Sequence, residues 1–360
     1  MARSLKVDPE YIKKVKLALQ PNGYPSQKAL ANEVGLAEST VKNFLNGLPV
    51  DYLNFVEISR KLGFDDWQEI ACREPETQPE QPNKDYSPFS AGTPIPHPRY
   101  FFGRERELKR LFSLLKKHPL QNAAIIGKRR TGKTSVLRYL EAITTTPPEQ
   151  LRPNQKSDWL PNPENYCWIF VDFQDSRMAS RERLLGYILE CMRLPVSNPC
   201  DLDNFMDVVS RNLRKPTIIL MDEIGVALKR CPELDDGFWE SLRALAPQTD
   251  GNLAFILATP ESPIDLASHT GHSSPFFNIF GYSTTLGSLS ESEARELIAS
   301  SPIHFPADDV EWILRESELR VILLQILCWE RFFSLEEGET GEEWRVEGER
   351  RISRWRERNR

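Results

Sequence analysis

One run of eight residues sets the strictest condition on how this 360-residue chain can fold: Gly127-Lys-Arg-Arg-Thr-Gly-Lys-Thr134. The apolar run Ala123-Ala-Ile-Ile126 before it reads as a buried strand, and Ser135-Val-Leu-Arg-Tyr-Leu140 after it has apolar residues at helical spacing. A strand, a glycine loop and a helix in that order make an anion cradle. Gly127 and Gly132 let the backbone turn its N–H groups inward. The helix opening near Gly132 adds its positive dipole end to the same place. Lys128, Arg129, Arg130, Thr131 and Ser135 complete the cradle around a nucleotide phosphate chain. Lys133 is expected to reach the β- and γ-phosphates, and the Thr134 hydroxyl to face Mg²⁺.

A second stretch answers the first. Lys215-Pro-Thr-Ile-Ile-Leu-Met-Asp222-Glu223 is an apolar strand ending in two carboxylates. Asp222 is placed to hold Mg²⁺, and Glu223 to polarise an attacking water. Between residues 100 and 285, strand-like and helix-like runs alternate around a polar insertion at 146–164. That pattern predicts an α/β core, a mostly parallel sheet flanked by helices.

The rest of the composition excludes several classes. The formal net charge of −6 gives no global attraction to nucleic acid, so any DNA contact must come from a local patch. Cysteines 72, 167, 191, 200, 231 and 328 contain no C-x-x-C pair, which fits reduced thiols rather than a disulfide framework or a zinc ribbon. His269 and His272 have no further ligand-type residue close by in sequence and read as loop residues. No run of about 18 apolar residues and no signal-like N-terminus is present, so no membrane contact is expected and the expected compartment is the cytoplasm.

Residues 1–72 read as a small all-α unit, with helical patterns from Pro9 to Leu19, from Ser26 to about Val34, from Ala37 to Asn46 and from Asp51 to Leu62. Gly35 and Gly47 close the second and third of these. Residues 73–99 are rich in Pro and polar residues and are expected to be a flexible linker.

The stretch Ser26 to Gly47 resembles the helix-turn-helix of phage-repressor and LacI-type regulators. The resemblance implies packing roles for Ala31, Gly35 and Val41, and a phosphate contact for Gln27. It also implies a DNA-facing set of Ser39, Thr40, Lys42, Asn43 and Asn46, with Glu38 beside them. Amides and hydroxyls suit base edges, and a lysine suits phosphate or guanine. Over residues 1–48 seven Lys/Arg stand against four acids, but over 1–72 nine stand against nine. Two readings therefore stay open for this unit: a module for double-stranded DNA, or a helical module that docks a partner protein.

Phe101-Phe-Gly-Arg-Glu-Arg-Glu ahead of the phosphate loop is similar to AAA-type ATPases of the archaeal-ATPase and STAND group, over roughly residues 100–330. The resemblance implies ATP and Mg²⁺ as cofactors. It places Gly103 and Arg104 near an adenine pocket, Lys133, Thr134, Asp222 and Glu223 as above, and Thr259 as a sensor of the γ-phosphate. It also implies a helical lid over 286–335. The chain departs from that group at Glu318-Leu-Arg-Val321, where a G-x-P segment is expected and neither Gly nor Pro is found. Arg320 is then either a lid arginine that touches phosphate or a salt-bridged surface residue. Residues 336–360 read as a charged tail, with five acids over 336–343 and six arginines over 350–360: a solvated terminal helix with opposite-sign pairs or, with Trp344 and Trp355, a nucleic-acid or partner contact.

Together these readings predict a P-loop NTPase core with a helical lid and a separate helix-turn-helix domain. The expected activity is a slow, regulatory, signalling ATP hydrolase that forms a homo-oligomer on binding ATP and meets DNA through residues 1–72. An effector or sensor protein would come from another chain. The alternatives are a nucleotide-binding scaffold whose front module docks a protein, and a DNA-transaction ATPase of the transposition or loader type.

Overall fold

The computed structural model describes residues 4–8, 10–64, 67–71, 88–95, 97–339 and 341–358. The chain divides into two compact units, Met1–Gln81 and Pro82–Arg360.

In the first unit, β1 (Ser4–Leu5) precedes helices α1 (Ile12–Leu17), α2 (Gln27–Glu33) and α3 (Glu38–Leu45). After β2 (Val50–Asp51) come α4 (Tyr52–Lys61) and α5 (Trp67–Ile70). The Ser26 hydroxyl accepts a hydrogen bond from the Ala29 amide at 3.2 Å and so starts α2. Gly35, at φ +65°, turns the chain out of α2 toward α3. Leu30, Ala31, Val41, Phe44 and Phe55 form the buried centre, with the Phe44 and Phe55 rings 5.0 Å apart. The all-helical expectation is corrected by an antiparallel ribbon that pairs Ser4 with Asp51 and Leu5 with Val50. Strands this short are below the length at which alternation shows in sequence.

The second unit opens with α6 (Glu105–Leu115) and holds a five-stranded sheet. Its strands are β3 (Ala123–Ile126), β4 (Cys167–Asp172), β5 (Thr217–Asp222), β6 (Leu253–Thr259) and β7 (Tyr282–Thr285), in the order β4-β5-β6-β3-β7. All pairings are parallel. Between them run α7 (Lys133–Ala142), α8 (Arg181–Met192), α9 (Leu202–Asn212), α10 (Ile224–Arg230), α11 (Asp236–Gln248) and α12 (Pro263–His269). Every residue of β5 and β6 is buried, as continuous apolar runs covered on both faces require. One face carries Ile125, Ile218, Leu220 and Ile256 against Phe112, Leu137 and Leu140 of α6 and α7. Phe255 points the other way by alternation and meets Phe276 at 5.3 Å, where Trp239 and Phe277 join it. From β3 the chain crosses to the distant β4, returns through β5 and β6, then passes β3 to reach β7. That reversal puts the carboxyl end of β3 at a topological switch point, where open α/β sheets bind ligands.

The lid consists of α13 (Glu291–Ala299), α14 (Ala307–Ser317), α15 (Val321–Glu336) and α16 (Glu343–Arg358). Ser290 and Glu293 form a reciprocal capping box at the start of α13. The charged tail is a helix with opposite-sign pairs, but it is not wholly solvated. Trp344 and Ile352 are buried in the lid core with Trp355 packed against it, a stripe at helical spacing. A Cβ at Gly348 would come within 2.8 Å of Leu327, so the two helices meet closely there. Four arginines of α16 are paired: Arg345 to Asp309, Arg351 to Glu330 and Arg356 to Glu318, each at 2.7 Å, and Arg350 to Glu347 at 2.6 Å. Asp309, itself buried, also takes Arg331 at 2.7 Å.

A second correction concerns the expected linker. Within it, residues 88–95 are packed onto the second unit, with Phe89 4% exposed inside the lid core. Cys72 lies outside the described residues. Cys167, Cys191, Cys200, Cys231 and Cys328 are unpaired thiols, and burial pushes Cys191 up to about 12. Among the described residues no helix is long and apolar enough to cross a membrane.

Candidate nucleotide site

The loop after β3 is shaped by bonds to its own backbone. The Gly127 amide donates to the Thr259 carbonyl at 3.0 Å, which ties the loop's root to the end of β6. A Cβ on Gly127 would sit 2.5 Å from Thr131 Oγ1, so a larger residue would displace the Thr131 side chain that closes the loop. Thr131 Oγ1 donates to the Lys128 carbonyl at 2.9 Å and closes the loop. Arg130 (φ +64°) and Gly132 (φ +94°) adopt the left-handed conformation, and Gly132 opens α7. Lys133 Nζ donates to the carbonyls of Gly127 at 2.8 Å and Lys128 at 3.0 Å, across the loop's mouth. Burial pushes its pKa down, and the charges of Glu223 and Asp222 pull it back up. The side chains of Lys128, Arg129 and Arg130 are exposed at the loop tip, and Ser135 is half-buried on α7.

Asp222 ends β5 and is 3% exposed. Burial pushes its pKa up, against a hydrogen bond from the Thr134 hydroxyl. The charges of Asp172 and Glu223 push the same way as burial. Glu223 stands at φ +54°, and its amide donates to Asp222 Oδ1 at 3.0 Å. A left-handed residue with a Cβ costs about 1–2 kcal/mol, and such strain gathers at functional sites. Sequence reasoning missed Asp172. The parallel register sets it directly opposite Asp222 at the same sheet edge. The only signal in the sequence is that β4, like β5, ends in an acid. A hydroxyl bonded to a buried carboxylate, with a second carboxylate beside it, is an all-oxygen set suited to a hard cation such as Mg²⁺.

Thr259 is fully buried at the end of β6. Its hydroxyl donates to the Glu261 carbonyl, so its contact with the phosphate loop runs through its backbone. Gly103, at φ +72°, lies so close to the lid that a Cβ would meet Glu293 and Leu289 at 3.0 Å. Arg104 is buried and joins three segments. Its Nη2 donates to Gly287 O at 2.6 Å and more weakly to Thr131 O at 3.4 Å. Its Nη1 reaches Ser288 O at 3.4 Å, and its amide donates to Glu293 Oε1 at 2.6 Å. The guanidinium thus staples the phosphate loop to the entry of the lid. Arg104→Ala is expected to lose about 1.5–3 kcal/mol, the worth of hydrogen bonds to a charged group. Arg104→Lys should recover only part, lacking the planar fork. Urea unfolding without nucleotide measures both, and equal stability of all three proteins would remove the staple.

The departure at 318–321 has a structural counterpart. Glu318 and Leu319 take φ +51° and +57°, conformations that glycine would adopt without strain. The Leu289 amide donates to the Leu319 carbonyl at 2.9 Å. Arg320 pairs with Glu318 at 3.1 Å, and its side chain is half exposed. His272 is held between Asp236 at 2.8 Å and the Leu228 carbonyl at 3.0 Å, while His269 pairs separately with Glu261.

In the first unit, Ala31 and Val41 are buried. Ser39, Lys42 and Asn46 are exposed along α3 with Glu38, whereas Thr40, Asn43 and Gln27 are half-buried. The Asn46 amide donates to the Lys42 carbonyl at 2.9 Å and caps its own helix.

No protein-family model matches this chain. No curated protein matches it either. Among solved structures, it is similar to the ORC2 protein of Aeropyrum pernix in its ADP form, with 14% identity, 72% of this chain and 70% of that chain covered, and a TM-score of 0.51. It is also similar to domain III of the Thermotoga maritima replication initiation protein DnaA (12% identity, 71% and 96% covered, TM-score 0.47). A Walker-type ATPase of Pyrococcus abyssi matches at 17% identity, with 73% and 79% covered and a TM-score of 0.45. The parallel sheet, its strand order and the ORC2 likeness define the class: the second unit has the fold of a P-loop ATPase, an α/β core with a helical lid.

Proposed function

We propose that this protein is a regulatory switch that binds Mg·ATP, hydrolyses it slowly, self-associates in the ATP-bound state and presents residues 4–71 to duplex DNA. The observation that carries the nucleotide reading is the meeting of Lys133, Thr134, Asp222 and Glu223 at the mouth of one glycine loop. The ADP form of ORC2 is a nucleotide complex of the same fold. In the mechanism, loop N–H groups bind phosphate oxygens, and Lys133 exchanges its two carbonyl partners for β- and γ-phosphate oxygens. Thr134 and Asp222 would hold Mg²⁺, which supplies charge neutralisation on the phosphates when bound. Glu223 accepts a hydrogen bond from the attacking water and takes its proton as the in-line displacement proceeds. Arg104 passes a change at Thr131 to the lid.

The DNA reading is supported by the exposed amide, hydroxyl and lysine side chains of α3. It is tested by fluorescence anisotropy of a labelled duplex titrated with the full chain over a salt series, with and without Mg·ATP. Binding that falls steeply with salt and tightens with ATP is expected. Lys42→Ala should weaken it and lower the salt slope by about one counterion. The equal count of nine basic and nine acidic residues over 1–72 favours a second reading, a protein-docking module. Absence of duplex binding at every salt concentration would select it.

A further inference from the structure

Residues 88–95 touch both the lid and the phosphate-loop helix. At one end Phe89 is buried in the lid core, its ring 6.0 Å from Phe305 and 6.5 Å from Phe332. The Ser90 amide donates to Oε1 of Gln325 on α15 at 2.7 Å, and Gln325 is itself 4% exposed. At the other end the Ile95 amide donates to the Ser135 hydroxyl at 3.2 Å. Ser135 follows Thr134 directly, so this contact sits on the first turn of the phosphate-loop helix. Between the ends, a bond of 2.9 Å between the Ser90 and Thr93 hydroxyls folds the segment back on itself. A buried amide side chain that reaches out of a helix to one backbone N–H fixes a position, since alternative partners are absent from an apolar core.

We infer that residues 88–95 form a strap that reads the separation of lid and phosphate loop and locks when nucleotide draws them together. The inference rests on the nucleotide-binding reading above. With its ends held on α15 and α7, the strap can keep both hydrogen bonds only over a narrow range of lid positions. The first unit ends at Gln81 and the second begins at Pro82, so the strap follows the junction in sequence.

The test is hydrogen exchange of the full chain, resolved to single amides, with and without Mg·ATP, beside a direct titration of nucleotide binding. On saturation, exchange at Ser90 and at Ile95 should both slow by about two- to tenfold, the span set by one net hydrogen bond. Gln325→Met, which keeps the bulk and removes the acceptor, should bind nucleotide as the parent does. In that variant the slowing should be lost at both amides, because the strap transmits. Phe89→Leu should show the same double loss through the other anchor. Loss at Ser90 alone, with Ile95 still responding, would reduce the contact to a local one and overturn the strap. Bound nucleotide with no slowing at either amide in the parent chain would overturn it as well. Absence of nucleotide binding would overturn the functional reading itself, and the strap with it.

Discussion

Lys133→Ala is expected to abolish measurable nucleotide binding at micromolar protein while the fold survives. Nζ has two partners, the Gly127 and Lys128 carbonyls, and both belong to the loop itself. Removing the side chain therefore breaks no contact between distant segments. What it removes is a partly buried amine at the mouth, whose pKa burial lowers while Glu223 and Asp222 pull the other way. Truncating one partner of a desolvated charge pair costs about 2–5 kcal/mol. At tenfold per 1.4 kcal/mol, that is a loss of roughly 30-fold or more in affinity. Isothermal titration with ATP and Mg²⁺, with circular dichroism as the folding control, reads it out. An affinity within a factor of two of the parent would take Lys133 out of the site.

The second large effect is expected at the neighbouring carboxylate. Glu223→Gln keeps the size and the hydrogen-bonding reach of the side chain but cannot accept a proton. Asp222 and Thr134, the residues proposed to hold Mg²⁺, remain in place. ATP binding should be unchanged and turnover should fall by about 10²–10⁴-fold, the ordinary share of a general base. Phosphate release under single-turnover conditions separates the two quantities. Unchanged turnover with intact binding would sink the water-activating role.

The two groups behind these effects are legible in the sequence because each is carried by contiguous residues. A loop that cradles phosphate needs its glycines, lysine and threonine at fixed spacing. A strand that delivers two acids to a sheet edge shows them at its end. Asp172 is hidden for the opposite reason. Its place beside Asp222 is a fact of strand register, and nothing within β4 announces it. The Arg104 staple is hidden in the same way, since Thr131, Gly287 and Glu293 lie 27, 183 and 189 residues away in sequence. Composition misleads in two places. The arginines of 350–358 mask the apolar stripe that seats α16, and the prolines around residues 93–98 mask the one aromatic, Phe89, that anchors its segment. The P-loop ATPase fold is thus legible from motif and alternation, while the finish of the lid is a matter of packing between remote segments.

The corner between α14 and α15 has a mechanical consequence. Glycine at such a corner would swing through a broad range of backbone angles. Glu318 and Leu319 are confined to a small left-handed well, so the corner has few other shapes to adopt. Arg356 pins Glu318 from α16, and the Leu289 amide grips the Leu319 carbonyl from the lid's first turn. A joint built this way is a bracket rather than a hinge. The angle between α14 and α15 is therefore set by this corner, and Gln325 keeps its place relative to the start of the lid.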